Sequence, residues 1–499
     1  MSPEVRERNG APGAGETSTL AVRGASWTVF GVGAQRLAQT IALLVLARIL
    51  VPEDFGLVAL ATLFLSFAHR TKSLGLQTAL LQFRSEVGAA ADAAFLINGA
   101  ITLAVLVLIV VVSPLVSSWF ANPRAGAVLV VMSLRLIPQA AAAVPSALAA
   151  KALRFRKLAL ITLVESVVAA VVAVVMAVRG FGVWALVAGS VGGATVAAVL
   201  WWCPPEWRPR FRLDREASRR LVHEGVRIWS SGNLAFFIDS ANRLFMGWFL
   251  GVAVLGLYDV ASRLVHAPLQ SLLGINDRVA LPAFCREQHD RQVLGGWLIR
   301  LTEYLLLITA PAAGILFFFA DVLVPVLIGS RWSPVVGPVR ALAPYVLVMP
   351  LLSMSAVYIA RGKTELLLRF TVARAVVTVT ALFAASHISL LAVCLVESGS
   401  AALFVPLNLA LVGRILGLGS RRLARVVVVP AAGLGAFAVA AMALRASGAG
   451  AVLGPAAAAV LFPLVACLAF GAAVLLLQPR ILSEWRQVLA VVLGQERFE

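Results

Sequence analysis

The sequence predicts an all-α integral membrane protein of about 14 transmembrane helices, built as two pseudo-symmetric six-helix lobes plus two extra C-terminal helices. Three observations lead there. Of the 499 residues, 61% are hydrophobic and only 13% charged, more apolar surface than a soluble domain of that length needs. The apolar residues gather in fourteen runs, separated by short loops that alternate between rich and poor in Lys and Arg. Finally, the first six runs and the next six carry similar stretches. LARILVPEDFGLVALA (46–61) sits beside MGWFLGVAVLGLYDVA (246–261), and TALLQFRSE (78–86) beside VALPAFCRE (279–287).

Taken in order, residues 1–23 are mostly polar and are expected as a disordered cytoplasmic tail; Met1–Thr19 lacks the apolar centre and cleavage site of a signal peptide. The N-lobe, 24–202, holds runs at 24–47, 55–83, 92–113, 126–150, 158–178 and 181–202. A basic cytoplasmic linker, 203–220, follows. The C-lobe, 221–411, holds runs at 221–250, 254–283, 297–320, 334–360, 365–386 and 388–411. Residues 412–499 hold the last two runs, 423–445 and 452–477, and a cytoplasmic tail. Two pairs of runs read as tight hairpins, joined by Arg179-Gly180 and by His387. One set of loops is strongly basic, as at Lys151, Arg154, Arg156 and Lys157, while the other holds little more than Arg48, Arg124, Arg179, Arg331 and Arg445. By the positive-inside rule the rich set, and both termini, are cytoplasmic in a multi-pass protein. Orientation in a membrane thus explains the net charge of +18 better than nucleic acid does. Four scattered cysteines make neither a disulfide framework nor a metal site.

Charges inside the runs mark the candidate site. His69, Arg70 and Lys72 fall near the middle of 55–83, and Phe55–Ala68 is too short to cross without them. An ionised group at the bilayer centre costs about 2.5–3.5 kcal/mol on insertion scales. Thr62, Ser66, His69 or Arg70, Ser73 and Gln77 share one helix face, so this run reads as a helix with one lipid side and one wet, cationic side. The eighth run repeats the pattern with Asp259, Arg263, His266, Gln270 and Asp277, the seventh carries Asp239 and Arg243, and the first carries Arg36. Asp239–Arg243 and Asp259–Arg263 are four apart and can neutralise each other. Arg36 requires a partner elsewhere or an anionic ligand. Arg36, His69, Arg70, Lys72, Arg243, Arg263 and His266 are therefore the candidate substrate contacts, in a cavity between the lobes. Asp239, Asp259 and the isolated acids Glu165, Glu303 and Glu397 are candidates for ion pairing or proton coupling. Pro138 and Pro145 interrupt the fourth run and Pro344 and Pro350 the tenth, making them hinge candidates.

Enzyme signals are missing. Gly362-Lys363-Thr364 ends like a phosphate-binding loop, but Val357 stands where its first glycine belongs. His223-Glu224 is followed by Arg227 where a zinc-protease motif needs a second histidine. No catalytic role, cofactor or metal is expected. Energy must come from a gradient of H+ or Na+, or from substrate supply.

LARILVPEDFGLVALA (46–61), LGLQTALLQ (74–82), FGVWALVAG (181–189), LGLYDVASRL (255–264) and VALPAF (279–284) are similar to stretches of the Wzx-type polysaccharide biosynthesis flippases. These belong to the multidrug/oligosaccharidyl-lipid/polysaccharide (MOP) exporter superfamily. The resemblance covers both lobes in family order and implies a MATE-like, V-shaped bundle in the bacterial inner membrane. It implies alternating access for an undecaprenyl-diphosphate-linked oligosaccharide, moved to the outer leaflet for O-antigen, capsule or exopolysaccharide assembly. Expected partners are that lipid-linked glycan, membrane lipid, and the polysaccharide polymerase and chain-length machinery. Two readings within the superfamily stay open: a flippase for the lipid-linked peptidoglycan precursor, and a cation-coupled drug antiporter, whose cavity would be acidic. A membrane glycan polymerase would need a sizeable outer loop, and a non-transporting scaffold would not need inward polar stripes.

Overall fold

The computed structural model describes residues 14–73, 80, 87–203, 207–210, 240–266, 284 and 290–478, with the side chains of 14–30, 70–73, 87, 420, 421 and 451 outside the description. Eleven helical stretches among the described residues, two of them broken into shorter helices, are long and apolar enough to cross a membrane. They coincide with the first, third to sixth and ninth to fourteenth predicted runs. The second, seventh and eighth runs pass in part through residues 74–79, 81–83, 221–239 and 267–283, which lie outside the described residues. The chain divides into two compact units, Met1–Leu244 and Phe245–Glu499.

In the first unit, α1 (Ala14–Ile49) starts inside the stretch expected as a tail, because no proline interrupts the chain from Gly13 to Val51. Then come α2 (Pro52–Ser73), α3 (Val87–Trp119), α4 (Pro123–Ser133), α5 (Leu136–Lys151), α6 (Phe155–Val178) and α7 (Val183–Trp202). Asn122 caps α4, accepting from the Arg124 amide at 3.0 Å, and donates to Glu53 Oε1 at 2.9 Å, tying that cap to the start of α2. The α6–α7 hairpin turns through Arg179–Gly182, where Gly180 and Gly182 take φ of +84° and +55°. Along it, Gly189 and Gly193 bring α7 against the backbone of α6. A β-carbon at those positions would meet Ala169 O at 2.5 Å and Glu165 O at 2.7 Å, so only glycine permits this approach.

The fourth run is two helices rather than one. Pro138 has no N–H, and its ring clashes with the carbonyl four residues back, that of Leu134. The chain breaks there: Leu134 and Arg135 form a turn between α4 and α5, and the Leu134 carbonyl accepts from Ile137 N at 3.1 Å instead. Pro145 frees the carbonyl of Ala141 in the same way. Trp202 of α7 donates its indole Nε1–H to that oxygen at 3.2 Å, so the freed acceptor keeps a partner. Trp202→Phe keeps the ring and removes the donor, and is expected to lower the unfolding free energy by about 1 kcal/mol. Reversible unfolding in mild detergent checks it.

Helix α8 (240–249) runs across the boundary at Leu244. The second unit then holds α9 (252–266), α10 (Arg291–Phe318), α11 (Ala320–Ile328), a 3-10 turn (Ser330–Val335), α12 (Val336–Leu352), α13 (Ser355–Ala360), α14 (Thr364–Ser386), α15 (Leu390–Leu416), α16 (Ser420–Ala446), α17 (Ala449–Leu453) and α18 (Pro455–Leu477). The tenth run carries Pro344 and Pro350 inside α12 and breaks at Ser353-Met354. The Leu351 carbonyl beside this break accepts from Asn408 Nδ2 at 2.8 Å, while Tyr358 donates its hydroxyl to Asn408 Oδ1 at 2.8 Å. Both side chains are buried, so α15 supplies the polar partner that the broken helix lacks. The last two long helices share a core with α10 and α11: Phe437, Phe462 and Phe470 close over Ala310 and Phe319. Asp321 joins Arg340 of α12, at 2.9 Å, and Arg445 of α16 in a half-exposed ion network.

Candidate functional site

The polar positions of each unit form a separate cluster. In the first, the break at Leu134–Arg135 sets Arg135 beside the last turns of α2. Thr62, Ser66 and His69, the expected polar stripe, line a cavity of about 450 Å³ together with Arg135 and Gln139. Leu65 and Leu136 supply its apolar wall. The Gln139 amide satisfies both neighbours in one orientation: its oxygen accepts from Arg135 Nη2 at 3.0 Å and Nε at 3.3 Å, and its nitrogen donates to His69 Nδ1 at 3.3 Å. That orientation makes His69 an acceptor at Nδ1 and leaves Nε2 to carry a proton. On α6, Glu165 is close enough for its carboxylate to attract the Arg135 guanidinium. The carboxylate that looked isolated along the chain thus lies within electrostatic reach of a cation from the turn between α4 and α5.

In the second unit, α9 carries Asp259 and Arg263 on adjacent turns. Arg263 Nε donates to Asp259 Oδ2 at 2.7 Å, with the carboxylate 6% and the guanidinium 46% exposed. The acid is therefore enclosed while the base keeps an open side. Its neighbour Tyr258 donates its hydroxyl to Glu397 Oε2 at 2.8 Å. His266 Nε2 stands 4.0 Å from the other oxygen of Glu397. The His266 ring stacks on Tyr345 of α12, with centroids 4.9 Å apart and planes at 24°. Glu397 on α15 is thus held between a phenol and an imidazole from α9, an arrangement able to take up or release a proton.

The other candidates are dispersed. Arg36 is half-buried on α1, Arg243 on α8 and Glu303 on α10. Arg70 and Lys72 lie on the last turn of α2, with side chains outside the described residues, as is all of Asp239. Pro138 sits in the first turn of α5, Pro145 farther along it, and Pro344 and Pro350 in α12. Gln139, Tyr258 and Tyr345 were not singled out by sequence reasoning. Gln139 had one signal, its place one helical turn after Arg135 and next to Pro138. Among the described residues, no group of His, Cys, Asp and Glu is placed to hold a metal ion.

Comparison with known proteins fits this architecture. A family model described as polysaccharide biosynthesis protein matches residues 45–337. The succinoglycan biosynthesis transport protein ExoT of Rhizobium meliloti (strain 1021) is 28% identical over 318 residues, 63% of this chain and 64% of that protein. The lipopolysaccharide biosynthesis protein WzxC of Escherichia coli (strain K12) is 22% identical over 331 residues, 64% of this chain and 66% of that one. The chain thus spans just under two thirds of the length of both relatives. Among solved structures, the lipid II flippase MurJ in an inward closed conformation matches with a TM-score of 0.68 at 12% identity, covering 91% of this chain and 99% of that one. An inward-facing multidrug resistance MATE family transporter of the MOP superfamily matches with a TM-score of 0.57 at 16% identity, covering 77% and 96%. The all-helical fold expected from the sequence is therefore the one found. At these identities the structural likeness speaks to fold and not to cargo.

Proposed function

Because the chain belongs to the polysaccharide biosynthesis protein family, we propose that this multi-pass membrane protein is a flippase for lipid-linked oligosaccharide repeat units. The cargo is an undecaprenyl-diphosphate-linked glycan, moved from the cytoplasmic to the outer leaflet of the bacterial inner membrane for surface polysaccharide assembly. The observation that carries this reading is the cavity holding Arg135, Gln139 and His69. A guanidinium has five N–H donors, and Gln139 engages two atoms of it; the remaining donors suit the oxygens of a phosphate. Thr62 and Ser66 on the same wall offer hydroxyl groups to sugars. A drug-cation antiporter would be poorly served by a cavity whose fixed charge is a guanidinium.

The test is a deletion strain of the source bacterium. Lipid-linked repeat units should accumulate on the cytoplasmic side while surface polysaccharide disappears, and the wild-type chain should reverse both. Unchanged surface polysaccharide in the deletion strain would remove the proposal.

The same reading assigns proton coupling to Glu397, supported by its contacts with Tyr258 and His266. Wild-type export should fall when the pH gradient is collapsed with an ionophore. Glu397→Gln should export several-fold less and no longer respond. A wild-type rate indifferent to the gradient would dismiss the coupling role.

A further inference from the structure

A second cavity lies in the first unit, away from the Arg135 cluster, and it combines charge with grease. Arg154, Arg156 and Lys157 surround one end of a groove of about 570 Å³ between α6 and α7. Leu160, Val164 and Leu200 line the rest of it. Arg154 and Arg156 are exposed, and Leu160 and Val164 keep 42% and 36% of their surface open. The Lys157 ammonium rests 5.4 Å from the centroid of the buried Trp201 ring, which holds that charge at the groove rather than letting it swing free. Just before the cluster, Leu153 adopts φ +55°, a left-handed backbone that an L-residue with a large side chain rarely takes, and leaves its side chain 47% exposed. The turn from α5 to α6 therefore presents an apolar residue and three cations on one short stretch.

We propose that this groove is a binding site for an anionic phospholipid. The phosphodiester would sit among Arg154, Arg156 and Lys157, and the first carbons of an acyl chain along Leu160, Val164 and Leu200. Positive charge at the end of an apolar helix groove is the complement of such a molecule, whose phosphate lies at the membrane surface and whose chains run inward. A nucleic acid or soluble phosphate ligand would have no use for the apolar floor. A neutral lipid would have none for three cations. Occupancy would brace the turn joining α5 to α6, and with it the short broken helix that carries Arg135 and Gln139 at its start.

The experiment uses the full chain, purified in mild detergent, with binding read by native mass spectrometry. Phosphatidylglycerol should bind at least about tenfold more tightly than phosphatidylcholine of the same chains, a difference of about 1.4 kcal/mol. Replacing the three cations together (R154Q, R156Q, K157Q) should abolish that preference. Leu160→Trp, which fills the groove and keeps every charge, should weaken phosphatidylglycerol to a similar extent and serves if the triple variant does not fold. Equal binding of the two lipids, or a preference that survives both variants, would overturn the proposal. So would displacement of phosphatidylglycerol by farnesyl diphosphate at lower concentration than phosphatidylglycerol itself requires, since the groove would then be a cargo site.

Discussion

Arg135→Ala is expected to cut repeat-unit export at least about tenfold while the protein stays at its normal level in the membrane. The size follows from one lost charge-assisted hydrogen bond to a phosphate, worth about 1.5–3 kcal/mol. Arg135→Lys should recover only part of the loss. An ammonium keeps the charge but lacks the planar fork that meets Gln139 through both Nη2 and Nε. Gln139→Leu should fall between the two, since it leaves the cation in place but unsteered. The measurement is surface polysaccharide in a deletion strain carrying each variant, normalised to membrane protein. Full export by Arg135→Ala would take the phosphate-binding role away from this cavity.

The second large effect is on stability. Gly193→Ala should destabilise the first unit by about 1–3 kcal/mol, the usual range for overpacking, although it adds one methyl group. The new carbon would meet Glu165 O at 2.7 Å and Ala169 Cβ at 2.9 Å, and a backbone carbonyl cannot rotate aside. Gly192→Ala, one residue away, is the control: its added carbon reaches only Val172, at 3.8 Å, so it should be neutral or slightly stabilising. Thermal unfolding of the two variants separates them. Because the Gly193 contact falls on the backbone of Glu165, a residue electrostatically coupled to Arg135, export should drop with stability in the first variant and not in the second. Equal melting of both would mean that α6 and α7 have more slack than their spacing implies.

Much of this was legible along the chain, for physical reasons that also mark where reading stopped. Hydropathy over 20 or so residues is a local quantity, so eleven of the expected runs emerged as helical stretches able to cross a membrane, the fourth and tenth of them broken. The stripe of Thr62, Ser66 and His69 was readable because helical spacing alone puts those residues on one face. Arg135 and Gln139 could not be joined to that stripe, since their meeting depends on a break caused by Pro138 and on packing between α2 and α4, which precedes the break. Glu165 and Glu397 looked isolated for the same reason: the groups near them come from distant parts of the chain, Tyr258 and Glu397 being 139 positions apart. The Asp259–Arg263 pair, being local, was foreseen and is formed. Proline positions announced that the fourth and tenth runs would be irregular. They did not announce which neighbouring side chains would answer the freed carbonyls.

Those answers bear on mechanical compliance. At Pro145 the liberated oxygen is clamped by an indole from another helix, so bending there would have to stretch an interhelical bond as well as a dihedral angle. At the Leu134–Arg135 break the corresponding oxygen is held, among the described residues, only by Ile137 of the same run. The fourth run is thus cross-braced to another helix at its second kink, while at its first the hydrogen bond stays within the run itself. Bending at the first kink would stretch no interhelical hydrogen bond at that oxygen, and it would carry Arg135 with it.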